Sequence, residues 1–146
     1  MAQNAVAVGT AQGEIILWNI ETGEIHKRLG SDKKSVVDQP DDDNSDKPSS
    51  SIGHNAAVTG LVWVDQRIAS IDAEGIVIEW DVASGNQNAR FELHHPGGAI
   101  ASINEFYAVG TNIIKLLSVQ SLHQSRKFKG HNTTIKLMAV AEVYSF

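Results

Sequence analysis

The sequence IVIEWDVASG at residues 76–85 has a close counterpart, IILWNIETG, at residues 15–23 of the same chain. In both stretches, apolar and mostly β-branched residues lead to a tryptophan, then to Asp or Asn, and a glycine follows within a few positions. A third copy, IIKLLSVQS at residues 113–121, has leucine in place of the tryptophan. Apolar, β-branched runs that end at turn residues are typical of buried β-strands. The copies therefore predict a unit that is built around one buried strand and repeated along the chain.

The spacing of the copies gives the length of this unit. Trp18 and Trp80 lie 62 positions apart, whereas Leu117 follows Trp80 by 37 positions. The longer interval contains residues 31–52, which are rich in Asp, Ser and Pro and poor in apolar residues. That composition predicts an acidic disordered insert. Without the insert, the period is about 37–40 residues, in the range of a four-stranded propeller blade.

One full period divides into four strands separated by turns, as a blade requires. We therefore predict an all-β fold, a partial β-propeller of about three four-stranded blades of a larger ring. A closed propeller typically needs four to eight blades. Because the pattern starts and stops within a blade, we expect the chain to be a piece of a longer protein or a truncated product. Residues 1–146 then form one partial propeller, with blade pieces at about 1–30, 53–93, 95–129 and 130–146.

Dipeptides at the ends of the period resemble those of the WD-repeat family. In that family, a Gly-His pair opens the blade, and Trp-Asp ends its third strand. Here, Gly53-His54 precedes Trp80-Asp81 within one period, and a second Gly-His pair includes His131. The resemblance covers nearly the whole chain apart from the insert, and the phased copies make it specific.

The resemblance to WD repeats also implies a hydrogen-bonded set within each blade, formed by the His, a hydroxyl residue, an Asp of the second turn and the Trp. In the second period, we expect His54 and Trp80 to belong to this set. Glu74 stands where the turn Asp is expected, and Asp72 stands near the hydroxyl position. The structural blade positions that we expect are Trp18, His54, Glu74, Trp80, Asp81, Leu117 and His131.

Composition limits the possible functions. The net charge of −5 argues against binding nucleic acid by bulk electrostatics. The chain has no cysteine, which excludes disulfides, thiolate zinc sites and a cysteine nucleophile. No sequence motif of a metalloprotease, a serine hydrolase or a phosphate-binding loop is present, and no apolar run approaches the roughly 20 residues of a membrane span. We expect a non-enzyme with no catalytic, cofactor-binding or metal-binding residues, no cofactor, no small-molecule substrate and no membrane contact.

A closer resemblance concerns function. Three short sequence marks resemble the nucleolar t-UTP (UtpA) branch of the WD-repeat family. They are GTAQG at residues 9–13, IEW at residues 78–80 and TNIIKL at residues 111–116. This resemblance implies a nucleolar scaffold for small-subunit rRNA transcription and pre-rRNA processing within the small-subunit processome. Its partners would be other protein subunits of that complex, with contact to pre-rRNA made indirectly through them. The alternative is a cytoplasmic WD-repeat adaptor, such as a ubiquitin-ligase receptor or a trafficking scaffold.

Overall fold

A computed structural model describes residues 4–29, 53–129, 135–136 and 138–139. Within these ranges, eleven strands form three antiparallel sheets, and no helix is long and apolar enough to span a bilayer. The predicted insert at residues 31–52 and the expected blade position His131 lie outside the described residues.

Each sheet is a meander in which strands adjacent in sequence are paired. The first sheet has three strands, which correspond to the second, third and fourth strands of the other two sheets. The first sheet contains β1 (Ala5–Gly9), β2 (Ile15–Asn19) and β3 (Ile25–Leu29). The second contains β4 (Val58–Val64), β5 (Arg67–Asp72), β6 (Ile76–Asp81) and β7 (Gln87–Glu92). The third contains β8 (Ala99–Ile103), β9 (Phe106–Gly110), β10 (Ile114–Ser118) and β11 (Gln124–Phe128).

Strand register shows that the three sheets are copies of one unit. In the second sheet, Trp80 of β6 lies opposite Ile68 of β5. The same pairing joins Trp18 to Val6 in the first sheet and Leu117 to Tyr107 in the third. These pairings place β2, β6 and β10 at equivalent positions, so the three sequence copies are the third strands of three blades.

The turn after each of these strands has an equivalent backbone hydrogen bond. The residue that donates this bond has a left-handed backbone conformation in all three turns. Two of the left-handed positions hold glycine, which adopts positive φ without a steric penalty. The third holds Leu122, with a φ of 55°. Its side chain is buried between the second and third sheets, which offsets the backbone strain. The bonds run from Gly23 N to Asn19 O, from Gly85 N to Asp81 O and from Leu122 N to Ser118 O, at 2.9, 2.8 and 2.8 Å.

Two apolar clusters join the sheets face to face, because a single sheet cannot cover both of its own faces. The second sheet contributes to both clusters and is therefore covered on both sides. Its inner strand β4 also contacts β8 of the third sheet, so the sheets converge along this edge. The first cluster contains Ile15, Leu17, Leu29, Ile68, Ile76, Ile78 and Trp80. The second contains Ala69, Ile71, Val77, Leu93, Ile100, Tyr107, Val109, Leu117 and Leu122.

Candidate functional site

A buried polar network lies inside the second sheet. His54, just before β4, places Nδ1 2.7 Å from Asp72 Oδ2 and Nε2 2.6 Å from Ser70 Oγ. The indole Nε1–H of Trp80 donates to the same Ser70 oxygen at 3.0 Å. All four side chains are almost completely removed from solvent. Burial at this depth requires each polar atom to have a partner, and this arrangement provides one.

The network is one chain of contacts. Trp80 Nε1–H donates to Ser70 Oγ, and the two ring nitrogens of His54 link Ser70 Oγ to the Asp72 carboxylate. Ser, His and Asp are linked in this order in the triads of serine hydrolases. Here, however, the Ser70 oxygen is enclosed and already bonded to the Trp80 indole, so a substrate cannot reach it. The network therefore joins the segment before β4 to strands β5 and β6, and its Ser70 hydroxyl is not accessible to a substrate.

Asp72 serves both the network and the turn that follows β5. Its Oδ1 accepts hydrogen bonds from the backbone N–H groups of Glu74 and Ile76, at 2.8 and 3.0 Å. Burial alone would raise the pKa of the Asp72 carboxyl. The hydrogen bond from His54, the backbone N–H groups and the charge interaction with His54 outweigh burial and lower the pKa below its ordinary value. The carboxylate is therefore held in its charged form.

The prediction that Glu74 stands at the position of the network's acid is wrong. The acid of the network is Asp72, and the hydroxyl residue is Ser70. Glu74 lies two residues further on, in the turn, where its side chain is exposed. Side chains alternate between the faces of a strand, so Ser70 and Asp72 share the face of Ile68 that looks toward Trp80. That alternation was readable in the sequence and would have given the correct assignment.

The other two sheets keep the turn but not the network. Thr10 and Thr111 occupy the position of Asp72, and each hydroxyl accepts backbone N–H bonds from the turn that follows it. Valine replaces Ser70 in both sheets, at Val8 and Val109, as the strand registers show. A threonine hydroxyl can cap the turn, but it has no second oxygen for a histidine. The buried network is thus specific to the second sheet among the described residues.

The remaining predicted positions have different environments. Trp18 is 36% exposed and lies on the face of the first sheet turned away from the second sheet. Leu117 is fully buried between the second and third sheets. Asp81 caps the turn after β6, where its Oδ2 accepts the backbone N–H of Ser84 at 3.0 Å. The side-chain and backbone hydrogen bonds with Ser84 lower the pKa of Asp81.

A second polar cluster, which the sequence interpretation missed, joins the second and third sheets. Glu79 of β6 is buried, and its Oε2 accepts the Tyr107 hydroxyl at 2.7 Å and the backbone N–H of Gln120 at 2.9 Å. Arg67 Nε lies 3.9 Å from the same oxygen, whereas Glu79 Oε1 is buried and has no hydrogen-bond partner among the described residues. Burial, the hydrogen bond to Glu79 and its charge raise the pKa of Tyr107. Because Glu79 and Tyr107 belong to different sheets, the pair fixes how these sheets pack.

Metal binding has no candidate in the described part of the chain. No group of three or more His, Cys, Asp or Glu side chains converges there in a way that could hold an ion. The two polar clusters are instead closed sets of protein groups that connect strands and sheets.

No family model and no curated protein matches the chain. Similar solved structures include WD40 repeats and a β-propeller domain. The computationally designed Ika4 protein aligns with a TM-score of 0.74 at 20% identity over 97% of this chain and 77% of its own. The WD40 repeats of RRP9 align with a TM-score of 0.69 at 17% identity over 91% of this chain and 37% of theirs. U3-55K aligns with a TM-score of 0.68 at 17% identity over 91% of this chain and 38% of its own.

At these identities, the likeness shows the fold alone. The fold is a partial WD40-type β-propeller, which confirms the fold class predicted from the repeat. The chain spans less than two fifths of the length of the RRP9 and U3-55K structures. The three sheets are therefore blades, and we refer to them below as the first, second and third blade.

Proposed function

We propose that the protein is a non-catalytic scaffold of ribosome biogenesis that acts in small-subunit rRNA transcription and pre-rRNA processing within the small-subunit processome. The observation that carries the proposal is the resemblance of residues 9–13, 78–80 and 111–116 to one stretch of WD repeat-containing protein 43. That protein is the metazoan counterpart of the yeast U3 small nucleolar RNA-associated protein 5. The proposed location is the nucleolus.

Two of the residues that carry this resemblance, Gly13 and Glu79, lie at junctions between blades. Gly13, in the first mark, has a φ of 91°, and a Cβ at this position would lie 2.6 Å from the backbone oxygen of His54. Glu79, in the second mark, joins the second blade to Tyr107 of the third. Residues at such positions fix the angle between neighbouring blades. A propeller with fixed blade angles displays its loops and edges on a stable frame, which suits a protein-binding scaffold.

Charge supports docking through protein partners. With a net charge of −5, the chain is poorly suited to neutralising the phosphates of an RNA. We therefore propose that other subunits of the t-UTP (UtpA) subcomplex hold the protein and that pre-rRNA is contacted indirectly through them. The name of one solved propeller of similar fold, U3-55K, includes the same U3 label. At 17% identity this likeness supports the proposal through the fold only.

The proposed domain organisation follows the repeat. Blade pieces at about 1–30, 53–93, 95–129 and 130–146 form one partial propeller, and residues 31–52 form an acidic insert between the first and second blades. Limited proteolysis tests this proposal, because the first cuts should fall within the insert. Primary cleavage between residues 76 and 82 would contradict it.

Affinity purification with a matched pair of variants tests the proposed function. The tagged protein is recovered from nuclear extract treated with nuclease, as wild type, Asp72→Ala and Glu74→Ala. Both variants remove one carboxylate within the same turn, but only Asp72 belongs to the buried network. We expect t-UTP subunits with the wild type and with Glu74→Ala, and reduced recovery with Asp72→Ala.

Depletion of the protein completes the test. We expect small-subunit rRNA to fall, with large-subunit rRNA less affected. Recovery of cullin or coat-complex subunits from cytoplasm, without any change in pre-rRNA, would contradict the nucleolar proposal and favour the adaptor.

A further inference from the structure

The third blade carries two lysines directly opposite each other on neighbouring strands. Lys115 of β10 is paired with Lys127 of β11, so their side chains lie on the same face of the sheet. Opposite residues on antiparallel strands have Cβ atoms about 4.5–5.5 Å apart, and like charges at that separation destabilise a sheet. An anion between the two ammonium groups would remove this repulsion.

The lysine pair lies at the junction between the second and third blades. Val109, the partner of Lys115 on β9, and Leu117, two residues further along β10, both belong to the apolar cluster that joins these blades. Because side chains alternate along a strand, Lys115 lies on the same face as Leu117. Lys115 is partly buried, whereas Lys127, on the outermost strand, is exposed. The pair therefore lies at the outer rim of this junction, where solvent reaches it.

In the first and second blades, an isoleucine occupies the position of Lys115. Ile16 lies opposite Arg28 in the first blade. Ile78 lies opposite Arg90 in the second. Both isoleucines are buried. The ammonium group of a lysine at such a position needs a partner to offset its loss of hydration.

The outer-strand cations of the first two blades have partners within the chain, whereas the lysine pair has none in the described part of it. Arg28 lies 3.6 Å from a glutamate carboxylate. Arg90 donates to a backbone oxygen of the segment before β4 at 3.1 Å. Among the described residues, neither Lys115 nor Lys127 makes a hydrogen bond or an ion pair. The third blade thus has one cation more at this position and no group of its own to pair with either.

Charge is distributed unevenly along the chain. Residues 95–129 contain four Lys or Arg and one acid, Glu105, and so carry a charge of +3. Because the whole chain carries −5, the remaining residues carry −8. Glu105 stands at the opposite end of β10 from Lys115, since its backbone oxygen accepts a hydrogen bond from Val119 N–H. The third blade is therefore a positive region of an acidic chain, and its own acid is not beside the lysine pair.

We propose that Lys115 and Lys127 bind a carboxylate of an acidic segment in a partner protein. One carboxylate can accept hydrogen bonds from both ammonium groups, because its two oxygens are separate acceptors. β11 is the outermost strand of its sheet, so an extended segment can lie along its free edge. This inference rests on the proposed scaffold function, which makes the partner a protein, and it adds the surface and the chemistry of the contact.

A short acidic peptide fits this surface better than a nucleic acid does. Binding of a nucleic acid depends on neutralising several phosphates. A long polyanion that extended beyond the third blade would meet the negative charge of the remaining residues. A short acidic segment can stay within the positive region.

Fluorescence anisotropy of the purified chain with a labelled hexaglutamate peptide tests the proposal. The wild type should bind hexaglutamate but not hexaglutamine, and binding should weaken as the salt concentration rises. Lys115→Ile and Lys127→Gln should each weaken binding about tenfold. Arg28→Gln is the matched control, because it removes one positive charge from the equivalent position of the first blade. It should bind like the wild type.

Three results of this titration would overturn the proposal. They are the absence of hexaglutamate binding, equal binding by the wild type and both lysine variants, and tighter binding of a labelled hexauridine than of hexaglutamate. The last would assign the lysine pair to a nucleic acid.

Thermal unfolding separates a binding role from a structural one. Lys115→Ile gives the third blade the residue of the other two and removes the repulsion within the lysine pair. The Tm should therefore rise while hexaglutamate binding is lost. A lower Tm for this variant would show that Lys115 supports the fold and would overturn the proposal.

The peptide titration and the affinity purification fail separately. Hexaglutamate binding without recovery of t-UTP subunits from nuclear extract would contradict the proposed complex and leave the lysine site standing. Recovery of those subunits by a chain that does not bind hexaglutamate would support the complex and overturn the lysine site.

Discussion

The second and third blades have the same strands and turns but different interiors. Their third strands pair with the same register, and both end in a turn with a left-handed residue. The second blade fills its interior with a hydrogen-bonded network, whereas the third uses apolar side chains and a turn-capping threonine. The equivalent pairs are Ser70 and Val109, Asp72 and Thr111, and Trp80 and Leu117. Strand pattern and turn chemistry are therefore sufficient to build a blade, and the network is an addition to the second.

The largest effect is expected from Trp80→Ala, which removes the largest fully buried side chain and the donor to Ser70. Truncation of a buried aromatic residue costs about 3–5 kcal/mol. Denaturant unfolding measures the loss in the free energy of unfolding. The control is Trp63→Ala, because Trp63 is 40% exposed and donates its indole N–H to a surface carbonyl, that of Asp65. Equal losses in the free energy of unfolding for the two variants would show that Trp80 is not part of the core.

The junction between the two blades should be the next most sensitive feature. Tyr107→Phe removes a hydroxyl that donates to the buried Glu79 carboxylate at 2.7 Å. A hydrogen bond to a charged group contributes about 1.5–3 kcal/mol, and we expect a loss of that size. In a double-mutant cycle, Glu79→Gln should show strong coupling to Tyr107→Phe. Additive losses would mean that the two residues act independently.

The network itself gives a smaller effect. Ser70→Ala removes few atoms but leaves the Trp80 indole N–H and His54 Nε2 without their shared partner, at a cost of about 1–3 kcal/mol. The variant Ser70→Val/Asp72→Thr/Trp80→Leu gives the second blade the residues of the third. We expect thermal unfolding to show a smaller loss for this triple variant than the sum of the three single losses. A loss equal to that sum would show that the third-blade interior cannot replace the network.

Acid should produce the smallest effect. Because the pKa of Asp72 is lowered in the folded state, its carboxylate stabilises the protein above the ordinary value of 3.8. This stability is lost as the pH falls through the lower, folded-state pKa. The difference in Tm between the wild type and Asp72→Asn should therefore shrink as the pH falls below 3.8. Glu74→Gln, which changes an exposed carboxyl, should follow the wild type at each pH. A difference in Tm for Asp72→Asn that is constant with pH would contradict this role.

Much of the fold could be predicted because it depends on local pattern. The three copies of the third strand, the turns that follow them and the blade period are all visible in the sequence. The network was only partly predictable, because counting from the family motif placed the acid at Glu74, whereas strand alternation selects Asp72. The contact between Glu79 and Tyr107 joins residues 28 positions apart in different sheets. No local pattern encodes such a contact, since it depends on how two blades stack.

The chain has three tryptophans, and the exchange of their indole N–H groups tests the central claim most directly. The claim is that a buried network stabilises the second blade around Ser70. Trp80 Nε1–H is enclosed and bonded to Ser70 Oγ at 3.0 Å, whereas Trp18 and Trp63 are partly exposed. Hydrogen exchange followed by NMR should show that Trp80 is the slowest of the three and that Ser70→Ala accelerates it. A Trp80 indole that exchanges as fast as that of Trp63, or that is unaffected by Ser70→Ala, would contradict the account.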